Sequence, residues 1–108
     1  MTIEEINEIA CQIIAFAGDG KSYVLEAIDN AENGNLLEAE ENLQKSDEAI
    51  QKAHEIHTSL LVKEAQDPGC VVGTMMLIHA SNHLSNAELS RDLADRIIKL
   101  CKRGVNNG

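Results

Sequence analysis

The sequence predicts an all-α protein, built as an antiparallel three-helix hairpin bundle. Hydrophobic residues make up 44% of the 108 residues, yet aromatic residues make up only 2%, and proline occurs once, at Pro68. Apolar residues recur at three- and four-residue spacing, whereas no stretch sustains the alternation of a β-strand. A chain of this length forms one domain, residues 1–108, with a thin core if its helices are long.

The first helix is predicted over residues 3–33. Thr2 and Glu5 have the spacing of a capping box at its start, and Gly34 is placed to end it. Residues 18–22 (GDGKS) contain glycines and a lysine that resemble part of a phosphate-binding loop. This segment lacks the preceding strand and the first glycine at the required spacing, so we interpret it as helix.

The second and third helices are predicted over residues 35–66 and 71–103. Asn35 marks the start of the second, and the Asp67-Pro68-Gly69 turn separates the two. Gly104 is expected to end the third helix and to leave residues 105–108 as a frayed tail. Because both connections are short, neighbouring helices run antiparallel.

The formal net charge of −9, from 18 acidic and 9 basic residues, narrows the possible functions. It argues against nucleic acid, since binding there depends on Lys and Arg neutralising phosphates, and against direct docking on anionic lipid. Three cysteines without zinc or CxxC spacing indicate free thiols in a reducing compartment. No signal peptide opens the chain, so we expect a cytoplasmic protein.

Residues 71–78 are apolar almost all round the predicted third helix. A helix that is hydrophobic on every side is usually buried on every side, yet one chain supplies only two neighbours. We therefore expect a homo-oligomer in which third helices from different chains pack around a symmetry axis.

Candidate functional groups concentrate in the third helix. His79 and His83 are one turn apart and share a face, with Asn82 beside them, and His54 and His57 are similarly placed on the second helix. Facing imidazoles suit a metal site, but the carboxylates that such a site usually adds are missing from the His79 face. A neutral imidazole can also attack phosphorus and hold the phosphoryl group. A third interpretation is that these polar residues lie in the core, where they are hydrogen-bonded and fix the register between helices.

Four segments on these helices together resemble a known family over nearly the full length of the chain. It is the lactose/cellobiose-type IIA component of the bacterial phosphoenolpyruvate-dependent sugar phosphotransferase system (PTS). The segments are Ala17-Gly18-Asp19 with Lys21-Ser22, Glu26-Ala27 and Ala31-Glu32-Asn33-Gly34; Ala53-His54 with Thr58, Leu60, Leu61, Glu64 and Ala65; Leu77-Ile78-His79-Ala80 with His83-Leu84; and Lys102-Arg103-Gly104.

The resemblance implies a homotrimer whose third helices form a central parallel bundle. It also implies that His79 accepts a phosphoryl group from phosphorylated HPr and passes it to a cysteine of the IIB component. IIB then phosphorylates a β-linked disaccharide, of the cellobiose/chitobiose or lactose type, as the membrane IIC component imports it. Contact with the membrane protein is thus indirect. His57, Ser81 and His83 would support the phosphoryl group or orient His79.

The chain departs from the family pattern at three positions, two of them adjacent. Ser81 and Asn82 replace a usual Gln-Asp pair, and His57 replaces a usual glutamine. In the family, the aspartate at the trimer axis is associated with a divalent cation. Three neutral Asn82 amides can hydrogen-bond to one another instead, so we predict a trimer that needs no metal and no cofactor. The same departures motivate an alternative, a non-catalytic helical interaction or regulatory module.

Overall fold

The computed structural model describes the backbone of residues 1–107 and the side chains of residues 1–104. It contains three helices in the described part of the chain: α1 (Ile3–Glu32), α2 (Leu36–Gln66) and α3 (Met75–Asn107). They form an elongated bundle with principal extents of 57 × 20 × 19 Å. The all-α three-helix prediction is therefore confirmed.

The ends of α1 follow the local sequence signals closely. The backbone N–H of Glu5 donates to Thr2 Oγ1 (3.1 Å), and the backbone N–H of Thr2 donates to Glu5 Oε1 (3.0 Å), which completes the predicted capping box. Gly34 adopts a φ of 80°, a left-handed conformation that glycine reaches without steric cost. Residues 18–22 lie inside α1, as predicted, and not in a phosphate-binding loop.

The predicted third helix was wrong at both ends. Residues 71–74 are not helical, because the chain turns at Gly69 (φ 91°) and the Thr74 hydroxyl accepts from the N–H of Leu77 (3.1 Å), which caps a helix beginning at Met75. At the other end, α3 continues through Gly104 to Asn107. Gly104 does not take a positive φ, so it does not act as the predicted stop. Of the predicted frayed tail, the backbone of residues 105–107 is helical, whereas their side chains and Gly108 lie outside the described residues.

α1 is the central helix of the bundle and packs along both α2 and α3. The core forms two successive clusters rich in alanine, which lets the helices approach closely. One contains Ala10, Ile13, Ala17, Ala53, Leu60, Ala80, Leu84 and Ala87. The other contains Val24, Ala27, Ala31, Ala39, Leu43, Ala94 and Ile98.

α3 presents an apolar face that the chain itself does not cover, which we call the outer face. It lies opposite the buried residues Ala80, Leu84, Ala87, Ala94 and Ile98. Its large side chains are half or more exposed: Met75 86%, Ile78 57%, Leu89 58%, Leu93 51% and Leu100 62%. Asn82 is exposed on this face as well. None of the helices described is long and apolar enough to cross a membrane.

Candidate phosphoryl-acceptor site

The two histidines of α3 form a pair on its surface. His79 is exposed and His83 is half-buried. Their Nε2 atoms are 3.1 Å apart and their rings meet edge to face, with centroids 4.5 Å apart and planes at 83°. One Nε2 therefore carries a proton and the other accepts it. The pairing follows from the i, i+4 spacing, which places both side chains one above the other on the helix.

A second pair links α2 to α3 on another side of α3, because Ser81 lies two residues, and so about 200°, round the helix from His79. His57 Nε2 lies 3.0 Å from Ser81 Oγ, and the Ser81 hydroxyl donates to the carbonyl oxygen of Leu77 at 3.1 Å. Because the only hydroxyl proton of Ser81 goes to that carbonyl, His57 is the donor and carries its proton on Nε2. The four predicted site residues thus form two separate hydrogen-bonded pairs, His79–His83 and His57–Ser81.

A shallow groove of about 200 Å³ runs between α2 and α3 beside the second pair. Apolar side chains dominate its walls, and its lining comprises His57, Leu60, Leu61, Glu64, Val71, Gly73, Leu77, Ile78 and Ser81. This groove was not predicted from the sequence, because it is assembled from the end of α2, the loop and the start of α3.

Glu64 holds the loop between α2 and α3 in place. Its carboxylate accepts from the backbone N–H groups of Gly69 (2.9 Å) and Val71 (3.0 Å). These two hydrogen bonds favour the charged form and lower the pKa of Glu64 below its ordinary value. The carboxylate thus fixes the segment that leads into the first turn of α3, one turn before His79.

Thr74 connects that first turn to α1. Its hydroxyl donates to Asn7 Oδ1 at 2.7 Å while accepting from the N–H of Leu77. This polar link sets where α3 begins and how its first turn sits on α1. A threonine three residues before Leu77 is a recognisable cap signal in the sequence, but the contact with Asn7 is not.

The remaining candidates lie apart from these pairs. His54 Nδ1 is 3.4 Å from Glu88 Oε1, and both side chains are about half exposed. Asn82 is on the outer face of α3. Among the side chains described, no three His, Cys, Asp or Glu residues come together as a metal-binding group. The three cysteines are free thiols, as predicted.

The fold and site together define a class of protein: a slender three-helix domain with an exposed, hydrogen-bonded imidazole near the start of its last helix. Such an imidazole can act as a nucleophile, because its ring is exposed to a visiting molecule and its Nε2 lone pair becomes available when the hydrogen bond to the neighbouring imidazole is released. The family model of the PTS lactose/cellobiose-specific IIA subunit matches residues 8–102. The chain belongs to this family.

Individual relatives agree with this assignment. The PTS lactose-specific EIIA component of Streptococcus mutans serotype c is 39% identical over 104 residues, which cover 96% of this chain and 99% of that protein. The crystal structure of the PTS cellobiose-specific enzyme IIA of Bacillus anthracis superposes with a TM-score of 0.91 at 35% identity, covering 100% of this chain and 96% of that one.

A further solved structure contains a related protein bound to a partner. In the solution structures of the IIA(chitobiose)–HPr complex, the matching chain has a TM-score of 0.80 and 26% identity, covering 91% of this chain and 94% of that one. The chain is therefore similar to IIA components of the lactose, cellobiose and chitobiose types.

Proposed function

We propose that this chain is a cytoplasmic phosphocarrier of the PTS, which accepts a phosphoryl group from phosphorylated HPr on His79 and passes it to a cysteine of a IIB component. The transferred group then serves the uptake of a β-linked disaccharide of the cellobiose/chitobiose or lactose type. The observation that carries the proposal is the exposed imidazole of His79, with its Nε2 3.1 Å from His83 Nε2, in a chain of this family.

The proposed reaction uses the lone pair of His79 Nε2. With the His79 proton on Nδ1, Nε2 attacks phosphorus while the bond to the HPr donor atom breaks, and the donor keeps that electron pair. His83, whose proton is on Nε2, then donates a hydrogen bond from Nε2 to a phosphoryl oxygen in the product. In the second transfer, the IIB thiolate attacks phosphorus, and the breaking P–N bond returns its electron pair to His79 Nε2.

His57 and Ser81 act on this centre as positioning residues. Their hydrogen bond joins α2 to the turn of α3 that carries His79, and Ser81 is only two residues beyond it. HPr is the partner that the related IIA–HPr complex suggests.

The proposed assembly is a homotrimer in which the outer faces of three α3 helices meet. The face is apolar and exposed in the single chain, and leaving it in water is unfavourable at about 25 cal/mol per Å². Sedimentation of the full chain tests this directly. A species of three chains agrees with the proposal, and a monomer at micromolar concentration contradicts it.

The divalent cation that the family resemblance associates with the trimer axis does not fit the residues present here. Asn82 offers a neutral amide in place of a carboxylate, and amide oxygens bind cations much less strongly than charged ligands. We therefore assign no metal to the proposed reaction, and none of its steps depends on one.

Phosphorylation in vitro tests the proposed function. Incubation with phosphoenolpyruvate, enzyme I and HPr is expected to give an acid-labile, alkali-stable phosphoprotein. His79→Ala abolishes labelling and His83→Ala slows it. His54→Ala, which removes another exposed helical imidazole, leaves labelling unchanged. Labelling of the His79→Ala chain at the wild-type level overturns the assignment.

The second candidate is a non-catalytic interaction module on the same fold, favoured by the departures at Ser81 and Asn82. The two candidates differ in a complementation experiment. A phosphocarrier restores sugar transport in a strain that lacks its own IIA component, whereas an interaction module does not.

A further inference from the structure

The His79–His83 pair has a geometry that suits a metal ion as well as a shared proton. The two Nε2 atoms are 3.1 Å apart. Zn²⁺ binds imidazole nitrogen at about 2.0–2.1 Å, so two such bonds across this separation enclose an angle of about 98°. That angle lies between about 90° for square and about 109° for tetrahedral coordination. The two nitrogens are therefore already at chelating distance.

Little rearrangement is needed to admit the ion. The proton between the two rings has to move to Nδ1, a change of tautomer that keeps both imidazoles neutral. The ring planes stand at 83°, so one ring turns until both lone pairs converge. His79 is exposed and free to do so, and both side chains rise from consecutive turns of one helix, which fixes their spacing.

We propose that His79 and His83 form a two-imidazole site for Zn²⁺ or a similar divalent transition metal, with water completing the coordination. This is a labile site with two protein ligands and is separate from any cation at a trimer axis. The bound ion occupies the lone pair of His79 Nε2. As a consequence, which rests on the proposed function, the metal blocks phosphorylation of the chain.

Calorimetric titration of the full chain with Zn²⁺ alone tests the site without reference to phosphorylation. We expect one ion per wild-type chain, and an affinity reduced about tenfold or more in His79→Ala and in His83→Ala. The matched control is His54→Ala. It removes an exposed imidazole that also has a nearby carboxylate, that of Glu88 at 3.4 Å, and we expect it to bind like wild type.

The three cysteine thiols are present in wild type and in every variant. Any Zn²⁺ that binds to them therefore contributes equally to each titration and does not alter the comparison. His83→Gln, which keeps a polar side chain of similar size, repeats the test if His83→Ala has a lower helix content by circular dichroism. Wild-type affinity in His83→Ala, or in His83→Gln where the alanine variant is misfolded, overturns the proposal.

The inhibitory consequence is measured with purified phosphorylated HPr as the only donor. We expect saturating Zn²⁺ to slow phosphorylation of wild type and His54→Ala, excess EDTA to restore it, and His83→Ala to be resistant at the same concentration. Equal inhibition of His83→Ala overturns this consequence. A chain that binds Zn²⁺ as expected but is not phosphorylated without metal disproves the proposed function and leaves the metal site standing.

Discussion

His57 donates a hydrogen bond from Nε2 to Ser81 Oγ across 3.0 Å, and Ser81 in turn donates to the carbonyl oxygen of Leu77. These two hydrogen bonds cross from α2 to α3. Their partners on α3, Leu77 and Ser81, are two residues before and two residues after His79 in the sequence. The two bonds therefore determine how the helical turn that carries His79 is held, although neither side chain is hydrogen-bonded to His79 itself in the described structure.

These two hydrogen bonds predict a moderate effect of His57→Ala on phosphoryl transfer. Loss of one hydrogen bond of about 0.5–1.5 kcal/mol corresponds to a rate reduced about two- to tenfold. His57→Gln retains an N–H donor and is expected to remain near wild type. Ser81→Ala combined with His57→Ala is expected to cost less than the sum of the two single changes, because both remove the same contact. Initial rates with phosphorylated HPr measure these effects, and a wild-type rate for His57→Ala contradicts the prediction.

The two glycines within α1 predict opposite effects on stability. A Cβ at Gly20 would lie 2.5 Å from Cγ1 of Ile50, whereas a Cβ at Gly18 would meet no other atom within 4 Å. Gly20→Ala is therefore expected to destabilise the fold by about 1–3 kcal/mol. Gly18→Ala is expected to stabilise it by about 0.5–1 kcal/mol through helix propensity. Urea unfolding of both variants provides the comparison, and a stabilised Gly20→Ala chain would show that α1 and α2 are not this close.

Glu64 predicts a dependence of stability on pH. Its folded-state pKa is lowered from 4.5 by the N–H groups of Gly69 and Val71. Its contribution to stability is therefore complete above pH 4.5 and is lost as the pH falls through the lower, folded-state value. Glu64→Gln is expected to be less stable than wild type at pH 7 and to lose less on acidification.

The control for this prediction is Glu55→Gln, since among the residues whose side chains are described that carboxylate accepts only from the side chain of Gln51 (3.1 Å). Free energies of unfolding measured from pH 7 to pH 3 separate the variants. Parallel curves for wild type and Glu64→Gln would mean that the loop contact does not contribute.

Asn82 predicts that the proposed trimer is independent of metal. EDTA is expected to leave the wild-type trimer intact, since neutral amides at the axis need no cation. Asn82→Asp is expected to give a trimer that dissociates in EDTA and re-forms with Mg²⁺, because three converging carboxylates repel one another. Sedimentation velocity reports both outcomes. Dissociation of the wild-type trimer by EDTA refutes the prediction.

The parts of the fold that depend on local signals were predictable from the sequence. The Thr2–Glu5 capping box and Gly34 placed the ends of α1 within one residue, because caps and left-handed glycines act on their immediate neighbours. The start of α3 was missed although Thr74 is a local cap signal, because contacts between distant residues also fix it. Thr74 bonds to Asn7, 67 residues away, and Glu64 holds the loop N–H groups.

The candidate site was predictable as a set of residues but not as an arrangement. The i, i+4 spacing indicated that the side chains of His79 and His83 meet, because both lie on α3 and the helix geometry fixes the distance between them. The pairing of His57 with Ser81 depends on the register of α2 against α3, which no local pattern encodes. The groove formed around the loop was missed for the same reason.

Heteronuclear NMR of the chain with ¹⁵N-labelled histidine, before and after incubation with phosphorylated HPr, tests the central claim most directly. We predict a new phosphorus–nitrogen coupling at Nε2 of His79, with the His83 ring signals shifting as its hydrogen bond transfers to the phosphoryl group. Unchanged His79 signals in a phosphorylated chain, or a phosphorus coupling at another imidazole, would contradict the account.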